Sequence, residues 1–249
     1  MDLHGKTALV TGGTRGIGAA AARALAAQGA DLALVGRFAD EEATRVRDEI
    51  QAAGRRAVLI TADMGKADQA TRCVEETLSA LGRVDVLVHA AGGAIVGGLL
   101  TLTPEAWHEA FDVHVHAAFH LCRAAVPDMK KRREGAIVLI SSVAGIRGIP
   151  FNLAYQVVKG TLPQMARAMA RELADDNIRV NCVAPGIIRT RFHDGMTAEQ
   201  KRHNLDNRIP LHREGTPEQV ASLIVEVAAN DYITGETFTI DGGLTMRIA

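Results

Sequence analysis

"ALVTGGTRGIGAAAARALA" occupies residues 8–26. The apolar run Ala8-Leu9-Val10 leads into four glycines within eight residues: Gly12, Gly13, Gly16 and Gly18. Thr14, Arg15 and Ile17 stand among them, and an alanine-rich stretch follows. Glycine weakens strands and helices alike, so four together need a reason. A flexible surface turn is one. The other is a strand-to-helix turn whose backbone comes close to a phosphate-bearing ligand, with the amides of the helix start directed at it. The spacing Gly-x3-Gly-x-Gly (Gly12, Gly16, Gly18) differs from the GxGxxG of the common dinucleotide fingerprint.

Outward from this turn the same rhythm repeats. Short apolar runs at 7–10, 32–35, 57–61, 84–88, 136–140, 178–183 and 237–240 alternate with helical patterns at 18–28, 40–53, 66–81, 104–131, 153–174 and 217–228. Gly29 and Gly54 supply stop signals. The alternation predicts an α/β fold: a doubly wound, seven-stranded parallel sheet of the Rossmann type, with helices on both faces. "VDVLV" (84–88) and "AIVLI" (136–140) suit strands buried on both sides. No linker, repeat or low-complexity tract divides the chain, so a single domain is expected over 1–249. Residues 189–213 are polar and aperiodic, and a substrate lid is expected there.

At 47% hydrophobic and 23% charged, the composition is that of a soluble globular protein. A net charge of −1 gives no electrostatic case for nucleic acid. "KKRR" (130–133) reads as a solvated helix end. Cys73, Cys122 and Cys182 form no CxxC, which argues against disulfides or zinc and for a reducing compartment. The first residues lack a signal-peptide apolar region. The most apolar stretch, 84–102, is interrupted by Asp85, His89 and glycines at 92, 93, 97 and 98, a poor membrane span. A cytoplasmic location with no membrane partner is expected.

The second apolar run ends Leu34-Val35-Gly36-Arg37, without the acid that NAD-binding folds place there for the ribose. Arg37 and Arg15 suit a 2′-phosphate, so NADP(H) is expected over NAD(H). In "AYQVVKG" (154–160), Tyr155 and Lys159 share one helix face. An ammonium beside a phenol favours phenolate and lowers the tyrosine pKa toward a useful acid/base range. "LISSVAG" (139–145) ends the fifth run and offers Ser142 as a donor to a carbonyl oxygen.

With "NCVAPGIIRT" (181–190) and "YITGETFTIDGG" (232–243), these motifs resemble the short-chain dehydrogenase/reductase family of the classical type over almost the whole chain. Among its members the bacterial 3-oxoacyl-thioester reductases look nearest. The resemblance implies that residues 11–18 hold the coenzyme and that Asp63, with Met64 beside it, meets the adenine. It places Ala90, Ala91 and Gly92 along the coenzyme after the fourth strand. Pro185, Gly186, Ile188 and Thr190 would orient the carboxamide. Tyr155 would protonate the alkoxide as hydride leaves the nicotinamide, or take the proton in reverse. Ser142 would hydrogen-bond the substrate oxygen, and Lys159 would bind the nicotinamide ribose and hold the tyrosine pKa down. Family members are mostly dimers or tetramers, so a homo-oligomer, such as a homotetramer, is expected, with helix 104–131 at the interface.

Two departures stand out. The family's Asn-Asn-Ala-Gly is His89-Ala90-Ala91-Gly92 here, and in "FDVHVHAAF" (111–119) His114 takes the place of the fourth catalytic residue, an asparagine. His114 is expected in the water-linked proton relay to the lysine; the other reading is a polar helix residue with no catalytic part. His116 and His120 lie one turn apart, but without HExxH or a nearby cysteine no metal is expected. Trp107 and Phe111 read as packing. The expected activity interconverts a ketone and a secondary alcohol, the substrate being a 3-oxoacyl thioester or a free small molecule. Asp175-Asp176 would repel an acidic carrier protein where "KKRR" could attract one. A relative that binds NADPH with little turnover, as a sensor or interaction subunit, is the second reading.

Overall fold

The computed structural model describes residues 1–246; the last three residues of the domain expected over 1–249 lie outside the described residues. All seven apolar runs become strands: β1 (Thr7–Thr11), β2 (Asp31–Gly36), β3 (Ala57–Thr61), β4 (Val86–His89), β5 (Gly135–Ile140), β6 (Ile178–Pro185) and β7 (Thr237–Ile240). They form one parallel sheet in the order β3-β2-β1-β4-β5-β6-β7. Around it lie α1 (Gly16–Ala27), α2 (Glu41–Ala52), α3 (Ala67–Leu81), α4 (Pro104–Phe111), α5 (Ala117–Arg132), α6 (Leu153–Leu173), α7 (Ala198–His203) and α8 (Pro217–Ala229).

Alternate strand residues point to opposite faces, and here both faces are covered. Ala8, Val10, Leu32 and Leu34 pack with Ala21, Val46 and Ile224 of α1, α2 and α8. Leu9, Ala33 and Val35 pack with Val74, Leu121 and Leu162 of α3, α5 and α6. Each fully buried leucine, such as Leu9 or Leu87, contributes about 2 kcal/mol of apolar burial. The double burial explains why the strands read as unbroken apolar runs.

Among the described residues, four of the eight helices, α2, α4, α7 and α8, begin on a side-chain cap. Asp40 accepts the Ala43 amide at α2, Thr103 the Ala106 amide at α4, and Thr216 forms a capping box with Gln219 at α8. α1 is among the uncapped ones: Arg15 gives no side-chain cap, and no acid stands in its first turn. Its free amides lie where the strand order reverses between β1 and β4, the place at which open α/β sheets bind ligands.

Three expectations need correction. The helix expected over 104–131 is interrupted by a π-turn, Asp112–His116, between α4 and α5. The segment 189–213 is not aperiodic: it holds a 3₁₀ turn at Arg191–His193, α7 behind a Thr197/Gln200 capping box, and a π-turn at Asn204–Arg208. The "KKRR" run is not simply solvated. Lys130 pairs with Asp176 at 2.8 Å, Arg132 pairs with Asp128 and the fully buried Asp85, and Arg133 donates to the Asp175 carbonyl. Of the acids and bases expected to act oppositely on a carrier protein, Lys130 and Asp176 pair with each other. All three cysteines are buried, and burial pushes their thiols up to about 12. Among the described residues no helix is long and apolar enough to cross a membrane.

Candidate active site

The glycine turn joins β1 to α1 with Gly12 and Gly16 at φ +66° and +53°. A β-carbon on Gly18 would stand 2.1 Å from the Gly12 carbonyl oxygen; on Gly13, 2.7 Å from that of Val10; on Gly12, 2.9 Å from the Ala91 nitrogen. The glycines were expected to serve the approach of a ligand. At these three positions they are required by the chain's own backbone contacts, and the ligand-facing element is the uncapped start of α1. Gly16 looks across the cleft to the Thr190 methyl, 3.5 Å from a β-carbon there. Thr14 is buried against Gly36, and Ile17 packs on the α1 core.

At one end of the cleft Arg15 pairs with Asp40, and Arg37 Nη2 lies 3.1 Å from Asp63 Oδ1. The Gly65 amide, and after it Arg37, holds the Asp63 carboxyl below the usual carboxylate range. Both arginine pairs are solvent-exposed, hence cheap to exchange. Met64 is buried beside them.

At the end of β4, His89 lies opposite Thr11. Thr11 Oγ1 accepts the Ala91 amide at 3.2 Å and lies 2.8 Å from His89 Nδ1, in a hydrogen bond whose donor follows the His89 tautomer. His114, turned inward by the π-turn, places Nε2 3.2 Å from the Gly93 carbonyl, so Nε2 donates and Nδ1 is an acceptor. His89 Nε2 and His114 Nδ1 are buried without a hydrogen-bond partner among the described residues. The His114 ring rests on Gly92 (φ +142°), where a β-carbon would stand 2.0 Å from Cε1.

Burial, with Lys159 adding to it, pushes His89 down to about 4 and His114 well below its ordinary value. Both rings are therefore neutral at pH 7. Between pH 6.5 and 4 the unfolded chain binds more protons at position 89 than the folded one, so stability falls as pH falls through that window. His89→Asn removes this contribution. Denaturant unfolding at pH 7 and pH 4 is expected to show a wild-type loss larger than the variant's by roughly 3 kcal/mol. Equal losses would contradict the burial argument.

Ser142 follows β5 and accepts the Ala144 amide at 3.1 Å, which starts the 3₁₀ turn Val143–Gly145. That turn lies directly on α6: a β-carbon on Gly145 would stand 2.6 Å from the Lys159 backbone. Ser141 Oγ donates to the Lys159 carbonyl at 2.6 Å, and Lys159 Nζ donates to the Ile140 carbonyl at 2.8 Å. Burial brings Lys159 down to about 8. Its Nζ is 5.7 Å from the centre of the half-buried Tyr155 ring. Phe192 covers that ring at 5.6 Å, and His114 meets it edge-on at 6.0 Å.

The expected lowering of the Tyr155 pKa by Lys159 is a misreading. Burial raises it, opposed only by a hydrogen bond with Ser142. Lys159 donates one proton to the Ile140 carbonyl, and the apolar setting disfavours phenolate more than the ammonium favours it. Tyr155 is thus held as a phenol, the form that can give a proton.

Pro185 and Gly186 close β6, the Gly186 amide donating to the Ile240 carbonyl at 2.9 Å. Ile188 is buried and bridges Gly215, and Thr190 faces the glycine turn. The carboxyl edge of the sheet thus gathers the glycine turn, the residues after β4, Ser142, Tyr155, Lys159 and the 185–190 stretch. His116 stands apart, bonded to Asp112 at 2.8 Å, and the His120 ring lies 5.3 Å from that of Phe119. Trp107 and Phe111 pack together at 5.1 Å, as expected. Ser141 and Phe192 went unread in the sequence. The doubled serine of "LISSVAG" is a signal for the first, and nothing local marks the second.

A family model described as enoyl-(acyl carrier protein) reductase matches residues 12–245. The 3-oxoacyl-[acyl-carrier-protein] reductase FabG of Thermotoga maritima is 36% identical over 248 residues, covering 99% of this chain and 100% of that protein. Dehydrogenase/reductase SDR family member 4 of Oryctolagus cuniculus is 35% identical over 250 residues, covering 99% and 96%. A crystal structure of a blue fluorescent protein from a metagenomic library in complex with NADPH superposes with a TM-score of 0.90 at 35% identity, covering 98% and 99%. Fold and site define an oxidoreductase working between CH–OH and C=O. The chain belongs to the short-chain dehydrogenase/reductase family.

Proposed function

We propose that this protein is an NADP(H)-dependent reductase that converts a ketone to a secondary alcohol, with Tyr155 as the proton donor. The observation that carries the reading is the meeting of Ser142, Tyr155 and Lys159 in front of an uncapped helix start. The coenzyme fits the residues present. The free α1 amides suit its pyrophosphate, and the exchangeable Arg15 and Arg37 suit a 2′-phosphate. The complex of the similar blue fluorescent protein with NADPH supports the choice. When bound, the nicotinamide supplies the reducing equivalent. Ala90 to Gly92, Pro185, Gly186, Ile188 and Thr190 form the wall that orients it.

Ser142 holds the substrate oxygen and Tyr155 protonates it. Burial keeps Tyr155 protonated, which suits it to give its proton to the substrate oxygen in carbonyl reduction. Lys159 anchors the ribose and lies on the route by which Tyr155 is reprotonated. His114 Nδ1, a buried acceptor without a partner, is the group we place in that relay. Residues 189–213 are the lid, and Phe192 is its apolar floor over Tyr155. FabG-like relatives make a 3-oxoacyl thioester the leading substrate class. Lys130 is already paired with Asp176, one cation fewer to hold an acidic carrier protein, which favours a free thioester or small ketone.

Coenzyme titration tests the reading through the two exposed arginines. The chain is expected to bind NADPH about tenfold or more tightly than NADH, each lost bidentate phosphate contact being worth that order. Equal affinities would remove the NADP(H) assignment.

A further inference from the structure

Arg191 lies outside every motif described above, at the start of the lid. The 3₁₀ turn Arg191–His193 sends two successive side chains to different parts of the cleft. Phe192 rests on Tyr155, while Arg191 reaches back to the first turn of α2, its Nη1 3.1 Å from Glu42 Oε2. That same oxygen is 4.0 Å from Arg15 Nε. Arg15 in turn pairs with Asp40, and Arg191 also lowers the Asp40 carboxyl. Two guanidiniums from elements far apart in sequence therefore converge on one acidic shelf, and one of them is already the arginine assigned to the coenzyme phosphate.

The Arg191 side chain is 69% exposed and makes no hydrogen bond to Glu42 Oε2, itself a buried oxygen, so the ion contact leaves the guanidinium donors open to a better acceptor. A phosphate dianion offers a guanidinium more charge and a bidentate acceptor geometry than one carboxylate oxygen shared with Arg15. We propose that Arg191 is a third arginine of the 2′-phosphate site, supplied by the lid, which exchanges Glu42 for the phosphate when coenzyme enters. The inference rests on the NADP(H) reading above and adds a consequence to it. The coenzyme that carries the phosphate ties the lid down, and the one that lacks it does not.

The test is direct binding, by nicotinamide fluorescence, of NADPH and NADH to wild type, Arg191→Gln and Arg191→Lys. The side chain is exposed, so neither variant threatens the fold. Arg191→Gln is expected to raise the NADPH Kd about tenfold and leave the NADH Kd within about twofold, with Arg191→Lys in between. Weakening of both coenzymes alike would put Arg191 on the pyrophosphate and overturn the proposal, as would an unchanged NADPH Kd. A wild type that binds both coenzymes equally would overturn the NADP(H) reading as well. A preference kept in wild type and undiminished in Arg191→Gln would fail this inference alone.

Discussion

Tyr155→Phe is expected to lower carbonyl-dependent turnover by about 10³-fold, within the range that a positioned proton donor contributes. The ring stays, so its contacts with Phe192 and His114 stay, and coenzyme affinity should hardly change. What goes is a phenol that burial keeps protonated. Ser142 cannot take its place: an aliphatic hydroxyl is a far weaker acid, and its oxygen already accepts the Ala144 amide. Losing the Tyr155–Ser142 hydrogen bond costs about 1 kcal/mol of stability, too little to unfold the domain. Steady-state kcat with saturating NADPH, beside the NADPH Kd of each protein, separates a chemical defect from a binding defect. A variant that turns over near the wild-type rate would show that the proton comes from elsewhere.

The second large effect concerns the fold at the coenzyme turn. Gly18→Ala should destabilise by about 3 kcal/mol, the upper end of ordinary overpacking, and abolish tight coenzyme binding. Alanine in a helix is favoured over glycine by about 1 kcal/mol, so propensity alone points the other way. Sterics decides. The new methyl would lie 2.1 Å from the Gly12 carbonyl oxygen and 2.6 Å from its carbon, backbone atoms with no rotamer to retreat into. The turn would have to open, which carries the start of α1 away from its ligand. Gly195→Ala is the control, since a β-carbon there meets nothing within 4 Å. Thermal unfolding should fall by about 6–12 °C for Gly18→Ala and hardly move for the control. A Gly18→Ala protein with wild-type stability and coenzyme affinity would refute the packing argument.

The sheet was legible because both its faces are buried: strands such as Ala136 to Ile140 have no polar side to blur the pattern. The fourth strand is regular from Val86 rather than Val84, with Asp85 leading into it: its backbone already bonds to Thr7 and Ala136, while its carboxylate takes the Thr7 amide and the Arg83 guanidinium. The chemistry of the site was legible as residue types, since Ser142, Tyr155 and Lys159 are named by motif. Their energetics were not. Spacing puts a lysine near a tyrosine, but only the fold shows that both are desolvated and that Ile140 holds the ammonium. The π-turn was invisible because Phe111 to Phe119 still reads with helical spacing, and one extra backbone residue per turn leaves no compositional mark. Lys130 looked solvated because its partner, Asp176, is brought to it only by the pairing of β5 with β6, whose first residues, Gly135 and Ile178, lie opposite each other. Arg191 and Phe192 gain their places from a lid turn that polarity alone could not define.

The central claim is tested most directly by following NADPH consumption by wild-type protein at saturating coenzyme, with an acetoacetyl thioester and simple cyclic diketones as acceptors and NADH in parallel. The expected result is acceptor-dependent oxidation, faster with NADPH than with NADH. Saturable NADPH binding with no oxidation on any acceptor would contradict the account, and would leave a coenzyme-binding protein in which His89 and His114 have replaced the residues that turnover needs.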